Sequence, residues 1–174
     1  SGRQMENAAF ALREIENDLT NAAFWGEKNE ENPGAFPPVC PDDIAELELA
    51  MGYPVQGWQA LKALGSNAFD CGNLGAIAPP AGTDYLAVRR ASSCAINDPV
   101  DPNPDCAAAG TNFHLQVHSC ATGTPDAGSF TVSNVVADFT HTQRDCVSDA
   151  PIYRFLNRIY YIKNDQLMRA ELVG

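Results

Sequence analysis

Histidines, cysteines and a few paired carboxylates are the residues of this 174-residue chain with chemistry to offer. His114 and His118 fall on one side of an alternating stretch, ~13 Å apart at ~3.3 Å per residue. That is too far to share one metal ion, so both read as satisfied or solvent-facing side chains. His141 has no motif around it. Asp101-Pro-Asn103-Pro-Asp105 copies the first half of a calcium loop. Cys106 stands where that loop needs glycine, and Asn112 where it needs a bidentate glutamate. A turn-rich loop closed by Cys94 and Cys106 is therefore expected over Asp101–Asp105. The chain has no Gly-x-Ser-x-Gly elbow, no His-Glu-x-x-His, no phosphate-binding glycine loop and no cysteine beside a base. Carboxylate pairs such as Asp42-Asp43 and Glu30-Glu31 sit in polar loops, and nothing selects a glycosidase pair. No catalytic, cofactor-binding or metal-binding residue is expected, and the chain is not read as an enzyme.

Cys40, Cys71, Cys94, Cys106, Cys120 and Cys146 are even in number and widely spaced, without a Cys-x-x-Cys pair. They read as three disulfides, which persist outside the reducing cytosol. Cys40–Cys71, Cys94–Cys106 and Cys120–Cys146 are the expected pairs, because each brackets one loop or neighbouring strands. No apolar run approaches the ~20 residues that span a bilayer. The formal charge of -11 repels phosphate backbones, so nucleic acid is not an expected partner. Arg89, Arg90, Arg144, Arg154, Arg158 and Arg169 are expected on solvated strand faces, paired with nearby carboxylates.

The positioning elements follow from hydrophobic period. Met5, Ala8, Leu12, Ile15, Leu19 and Ala22 repeat at steps of three and four, which predicts a helix over residues 3–25 with that stripe against the body of the domain. Phe10 points about 170° from the stripe centre, at ~100° per residue. Ser1-Gly2-Arg3 offers one hydroxyl cap and no apolar staple and reads as a cloning scar, so the helix is expected to be the remainder of a longer one. Residues 26–83 are dense in glycine and proline and predict an irregular segment, with one short helix from Asp43 to Met51. Asp43 and Glu46 form a capping-box pattern there, and Gly52 ends it. Trp58, Phe36 and Phe69 of this segment are expected in a satellite core.

From residue 84 the period becomes two. Strands are expected over Tyr85–Ala91 and Asn112–Cys120, the latter with Phe113, Leu115 and Val117 inward and His114, Gln116 and His118 on a wet face. One or two short strands are expected in Phe130–Phe139. Ile152–Ile162 and Leu167–Val173 read as a hairpin turned by Lys163-Asn-Asp-Gln166. The stripe needs a surface to cover it, and the sheet is the only large one.

Three stretches carry a family resemblance. Gln4-Met-Glu-Asn-Ala-Ala-Phe-Ala-Leu-Arg-Glu-Ile-Glu-Asn-Asp-Leu-Thr-Asn-Ala-Ala-Phe-Trp-Gly26 resembles the post-membrane helix of PilW-type minor pilins of type IV pili. Asp84-Tyr-Leu-Ala-Val-Arg-Arg-Ala91 and Pro151-Ile-Tyr-Arg-Phe-Leu-Asn-Arg-Ile-Tyr-Tyr-Ile-Lys-Asn-Asp-Gln-Leu-Met-Arg-Ala-Glu-Leu172 are similar to the sheet of the same proteins. Residues 27–83 carry little likeness, and the processing site and apolar half-helix of the family are absent. The resemblance implies an α+β pilin fold: a long N-terminal helix packed on a four- to five-stranded antiparallel sheet, with an irregular disulfide-tied middle. It implies one domain over 1–174, with the sheet and C-terminal hairpin in 84–174. It further implies a structural adaptor that primes pilus assembly at or near the tip. Its partners would be other minor pilins, the major pilin, a tip adhesin and, before assembly, the inner membrane. Phe10 would then face neighbouring helices. A minor pseudopilin of a type II secretion system and a surface ligand-binding module are the competing expectations.

Overall fold

The computed structural model describes residues 2–28, 34–59, 69–70, 76–77, 80, 82–96, 106 and 112–171; the side chains of residues 2–7, 59, 69–70 and 76–77 fall outside that set. Among the described residues two α-helices, α1 (Gly2–Thr20) and α2 (Ile44–Met51), accompany the strands β1 (Val55–Gln59), β2 (Phe69–Asp70), β3 (Ala76–Ile77) and β4 (Asp84–Ala95). Then come β5 (His114–Val117), β6 (Phe130–Ser133), β7 (Ile152–Lys163) and β8 (Gln166–Glu171). Six strands form one antiparallel sheet in the order β1-β4-β7-β5-β6, with β8 also paired to β7, while β2 and β3 pair separately. Long β7 is the hub: β5 pairs with its first residues and β8 with its last.

Register sorts side chains onto two unlike faces. Ala91 opposes Phe155 and Ala87 opposes Ile159, which places these apolar residues on one face. Trp25, Leu47, Met51, Leu115, Val117 and Val132 pack with Ala91 and Phe155 into the main core, while Ala87 and Ile159 join Cys40 and Ala170 in a second cluster. Trp25 meets Phe155 at 5.1 Å between ring centroids. Each large side chain buried here contributes about 1.5–3 kcal/mol. Helix α2 supplies Leu47, Ala50 and Met51. Its start is built locally: Asp43 Oδ1 accepts from Glu46 N–H at 2.8 Å, and Glu46 Oε2 accepts from Asp42 N–H at 3.1 Å. The opposite face carries Arg90, Arg154, Arg158, Tyr160, His114 and Gln116.

The fold differs from the expected one. It is mostly antiparallel sheet, and α1 is not a long helix packed along it as in an α+β pilin fold. Leu12 is 65% exposed, Leu19 41% and Phe10 67%, and Ala8 is also exposed. The side chain of Met5 lies outside the described atoms. Ile15 and Ala22 of the expected stripe are half-buried, but the other buried or half-buried positions are Ala11, Glu14, Asp18 and Asn21. Their face is turned about 90° from the expected stripe, at ~100° per residue. The physical reason is that the apolar face of the sheet is already covered by α2 and Trp25. Helix α1 meets the polar face, where a carboxylate is worth more than a leucine.

The chain changes faces just after α1. Ala23 N–H donates to the Arg89 carbonyl at 3.3 Å, and Ala91 N–H to the Phe24 carbonyl at 2.7 Å. These bonds carry it around the edge of β4, so Asp18 and Trp25 end on opposite sides. Gly26 completes the turn at φ +71°, and a Cβ there would press on Tyr153 Cε2 at 3.3 Å.

Other expectations are adjusted in detail. The sheet has six strands because β1, from the irregular middle, joins it beside β4. The register of β4 slips between Ala91 and Ala95, and Ser92 fills the irregularity: its hydroxyl donates to Cys94 O and accepts from Arg154 N–H. Asn164 and Asp165, at φ 51° and 57°, turn the β7–β8 hairpin. Cys94–Cys106 and Cys120–Cys146 are disulfides, with Cα–Cα separations of 5.5 and 4.9 Å. Cys40 is disulfide-bonded and packs near Ala87, Ile159 and Ala170; Cys71 lies outside the described residues.

Candidate functional site

The polar face holds two assemblies. The first is a clamp on α1. Asp18, 1% exposed, accepts from Arg90 Nε at 3.1 Å and from Arg158 Nη1 at 2.7 Å, both at Oδ1. Arg90 Nη2 stands 3.0 Å from the same oxygen, and Tyr160 Oη donates to Oδ2 at 2.5 Å. Arg158 Nε also reaches Glu171 Oε2 at 3.0 Å, and Arg154 Nη2 reaches Glu171 Oε1 at 2.6 Å. Three arginines thus share two carboxylates in a nearly dry setting. Burial, then the hydrogen bond to Asp18, pushes the Tyr160 phenol far above its usual range, so it stays a donor. Outside the clamp, Arg169 reaches Glu14 at 2.7 Å, but both side chains are more than a third exposed, so this pair adds little.

The expectation of solvated arginines fails for Arg89, Arg90 and Arg158, which are buried; Arg144 and Arg169 are exposed. Arg89 faces the other side of the sheet. Its guanidinium donates to Asn157 Oδ1 at 3.1 Å, Tyr53 O at 2.9 Å, Gln56 Oε1 at 2.8 Å and Pro38 O at 3.1 Å. These acceptors are all neutral. Burial pushes its pKa down to about 10, which still leaves a cation at neutral pH. One residue thereby ties the 38–39 segment, the α2–β1 junction, β1 and β7 to β4.

The second assembly replaces the expected wet face of β5. His114, Gln116 and His118 are buried at 4%, 1% and 7% exposure, beneath residues 134–150. Gln116 Nε2 donates to Ala150 O at 2.9 Å, and its Oε1 accepts from His141 N–H at 2.9 Å. The His118 and His141 rings lie 5.5 Å apart. A strand alternating apolar and polar residues shows two different faces, and the cover came from residues downstream.

Two concavities open among the described residues. One, of ≈ 490 Å³, is a groove beside α1 lined by Ile15, Leu86, Tyr160, Ile162 and Leu167 among others. The other, of ≈ 230 Å³, has Glu27, Ser119, Arg144 and Tyr153 in its wall. The Ser119 hydrogen bond, helped by Arg144 and opposed by burial, lowers the Glu27 carboxyl. Asp42, Asp43 and Glu46 could in principle offer three carboxylates to a cation, all within 4.8 Å of one another. Their bonds at the start of α2 already account for that grouping. Asp101, Asn103 and Asp105 lie outside the described residues. Phe36 is 75% exposed against Tyr53 instead of joining a core, and Trp58 stacks half-buried on Tyr85 at 5.3 Å. The side chain of Phe69 falls outside the described set. Asp18 and Glu171 are the residues that sequence reasoning passed over.

Compared with known protein families, with curated proteins and with solved structures, the chain finds no match.

Proposed function

We propose that the chain is a structural filament subunit acting as a minor pilin: it primes type IV pilus assembly at or near the tip and links other minor pilins and the major pilin to a tip adhesin. The observation that carries this reading is the attachment of α1. The helix is gripped at its C-terminal end by Asp18, while Phe10, Leu12 and Leu19 face solvent. Each such side chain, buried against a neighbouring helix, would contribute about 1.5–3 kcal/mol. A gripped helix with unburied apolar residues on two flanks, Leu12 and Leu19 on one and Phe10 on the other, suits packing between subunits, because the clamp keeps the helix in register while neighbours cover it. The residues of α1 and of the β7–β8 hairpin are also those that resemble PilW-type minor pilins.

The disulfides suit a domain on the periplasmic side of the inner membrane before assembly and outside the cell afterwards. No active centre takes part in this reading; assembly runs on helix packing and domain contacts. A photo-crosslinking residue at Leu12 or Leu19 is expected to capture another pilus subunit in piliated cells, and one at exposed Glu48 of α2 is not. Equal capture from all three positions, or none from the helix, would count against it.

A further inference from the structure

All three histidines of the chain lie in one buried layer between the sheet and residues 134–150. The covering segment has little apolar hold: Val135, Val136 and Val147 are 51%, 68% and 82% exposed. Its attachments are polar, and one needs a neutral imidazole: Thr142 N–H donates to His118 Nδ1 at 3.3 Å. His141 Nε2 meets Thr131 Oγ1 at 2.9 Å, a hydroxyl that can donate or accept. The His114 ring stands edge-on to Phe139, 6.3 Å between centroids. Its Nε2 is buried with no partner among the described residues. At its lower end the segment is tied to the sheet by Cys120–Cys146.

We propose that residues 134–150 are an acid-opened flap: neutral His114, His118 and His141 hold it on the sheet, protonation of the layer releases it, and the Cys120–Cys146 disulfide keeps it tethered for reclosure. Protonation takes the acceptor lone pair from His118 Nδ1, sets two imidazolium rings side by side and places a charged donor at His114 Nε2 with no acceptor among the described residues.

The charged groups around the layer do not rescue it. From β7, Arg154 opposes His114 and repels its charge, and Glu171 of β8 is already engaged by Arg154 and Arg158. From β6, Ser133 Oγ donates to Asp138 at 2.5 Å. Glu27 is held by Arg144, and Asp145 and Asp149 are exposed. Lys28 sits over the Phe130 ring and adds a further cation.

Burial lowers the His114 and His141 pKa values from 6.5, with Arg154 and His118 respectively adding to it. A depressed histidine gives stability that is fully present above the unfolded value and lost as pH falls below it. The flap is therefore closed at neutral pH and opens on acidification. Gln116 supplies the part of the hold that does not titrate.

The test is hydrogen exchange of the intact, oxidised chain at about pH 7.5 and about pH 5, either side of the ordinary histidine value, with intrinsic rates corrected. Amides of 134–150 are expected to exchange about tenfold faster or more at the acid pH, the factor that one pKa unit carries. Those of β4 and β7 are expected to stay protected. Acceleration spread evenly over the sheet, or none in 134–150, would overturn the proposal. His118→Gln with His141→Gln is expected to flatten the pH dependence. Should that pair fail to fold, imidazole resonances of the unaltered chain serve instead: the proposal requires them to titrate together with flap opening, and titration while the flap stays protected refutes it.

Discussion

Replacing Asp18 by asparagine is expected to lower the unfolding free energy by about 3–5 kcal/mol, the cost of removing one partner from a buried ionic cluster. The side chain keeps its shape, so lost volume is not the cause. The carboxylate accepts from two guanidinium groups and a phenol, and an amide offers one acceptor oxygen and turns NH donors toward NH donors. Arg90 and Arg158 would each lose a buried carboxylate acceptor, while Arg158 keeps Glu171. The loss is read from urea unfolding as a fall in midpoint at unchanged slope. A triple change of Asp18, Arg90 and Arg158 to apolar residues of similar volume is expected to recover much of it, since well-packed apolar sets often replace buried ion clusters at no net cost. A loss below about 0.5 kcal/mol for Asp18→Asn, the range of ordinary surface substitutions, would mean that α1 is held by something else.

Arg89→Lys is expected to cost about 2–3 kcal/mol, although it preserves charge. A guanidinium presents donors in a flat fork, and here the fork reaches backbone carbonyls of Tyr53 and Pro38 and the side chains of Gln56 and Asn157. An ammonium has three donors on one atom and cannot reach all of these positions. At least one buried acceptor is left unmatched, at about 1–3 kcal/mol each. The Trp58 ring, 5.9 Å from the guanidinium carbon, also loses its flat partner. Thermal or urea unfolding measures the loss, and amide exchange of Val39 and Tyr53 should quicken before the sheet yields. Unchanged stability would show that Arg89 fills space and does not tie the segments together.

Legibility in the sequence followed local physics. The β7–β8 hairpin could be read because apolar and β-branched residues surround an Asn-Asp pair that tolerates positive φ. Helix α2 could be read because its cap lies within four residues of its start. The attachment of α1 could not be read from period alone. Leu12 and Leu19 made the strongest apolar stripe, whereas the buried face centres on Asp18, and a lone carboxylate on a helix is ordinarily solvated. One signal was available: Arg154, Arg158 and Tyr160 share a parity on β7, so one face of the sheet had to carry two cations that needed an anion. The histidine layer failed for a related reason. Alternation shows that His114, Gln116 and His118 share a face, but the residues that cover it are joined to β5 only through long-range contacts.

The proposed assembly runs through an α1 that the clamp holds in place. The most direct test is to mix the domain with the soluble domains of minor pilins and a tip adhesin, and to weigh the products by size-exclusion chromatography with light scattering. The expected result is a stoichiometric complex that Leu12→Glu with Leu19→Glu abolishes, the variant keeping the unfolding curve of the parent. A domain that stays monomeric with every partner, or a complex indifferent to both glutamates, would contradict it.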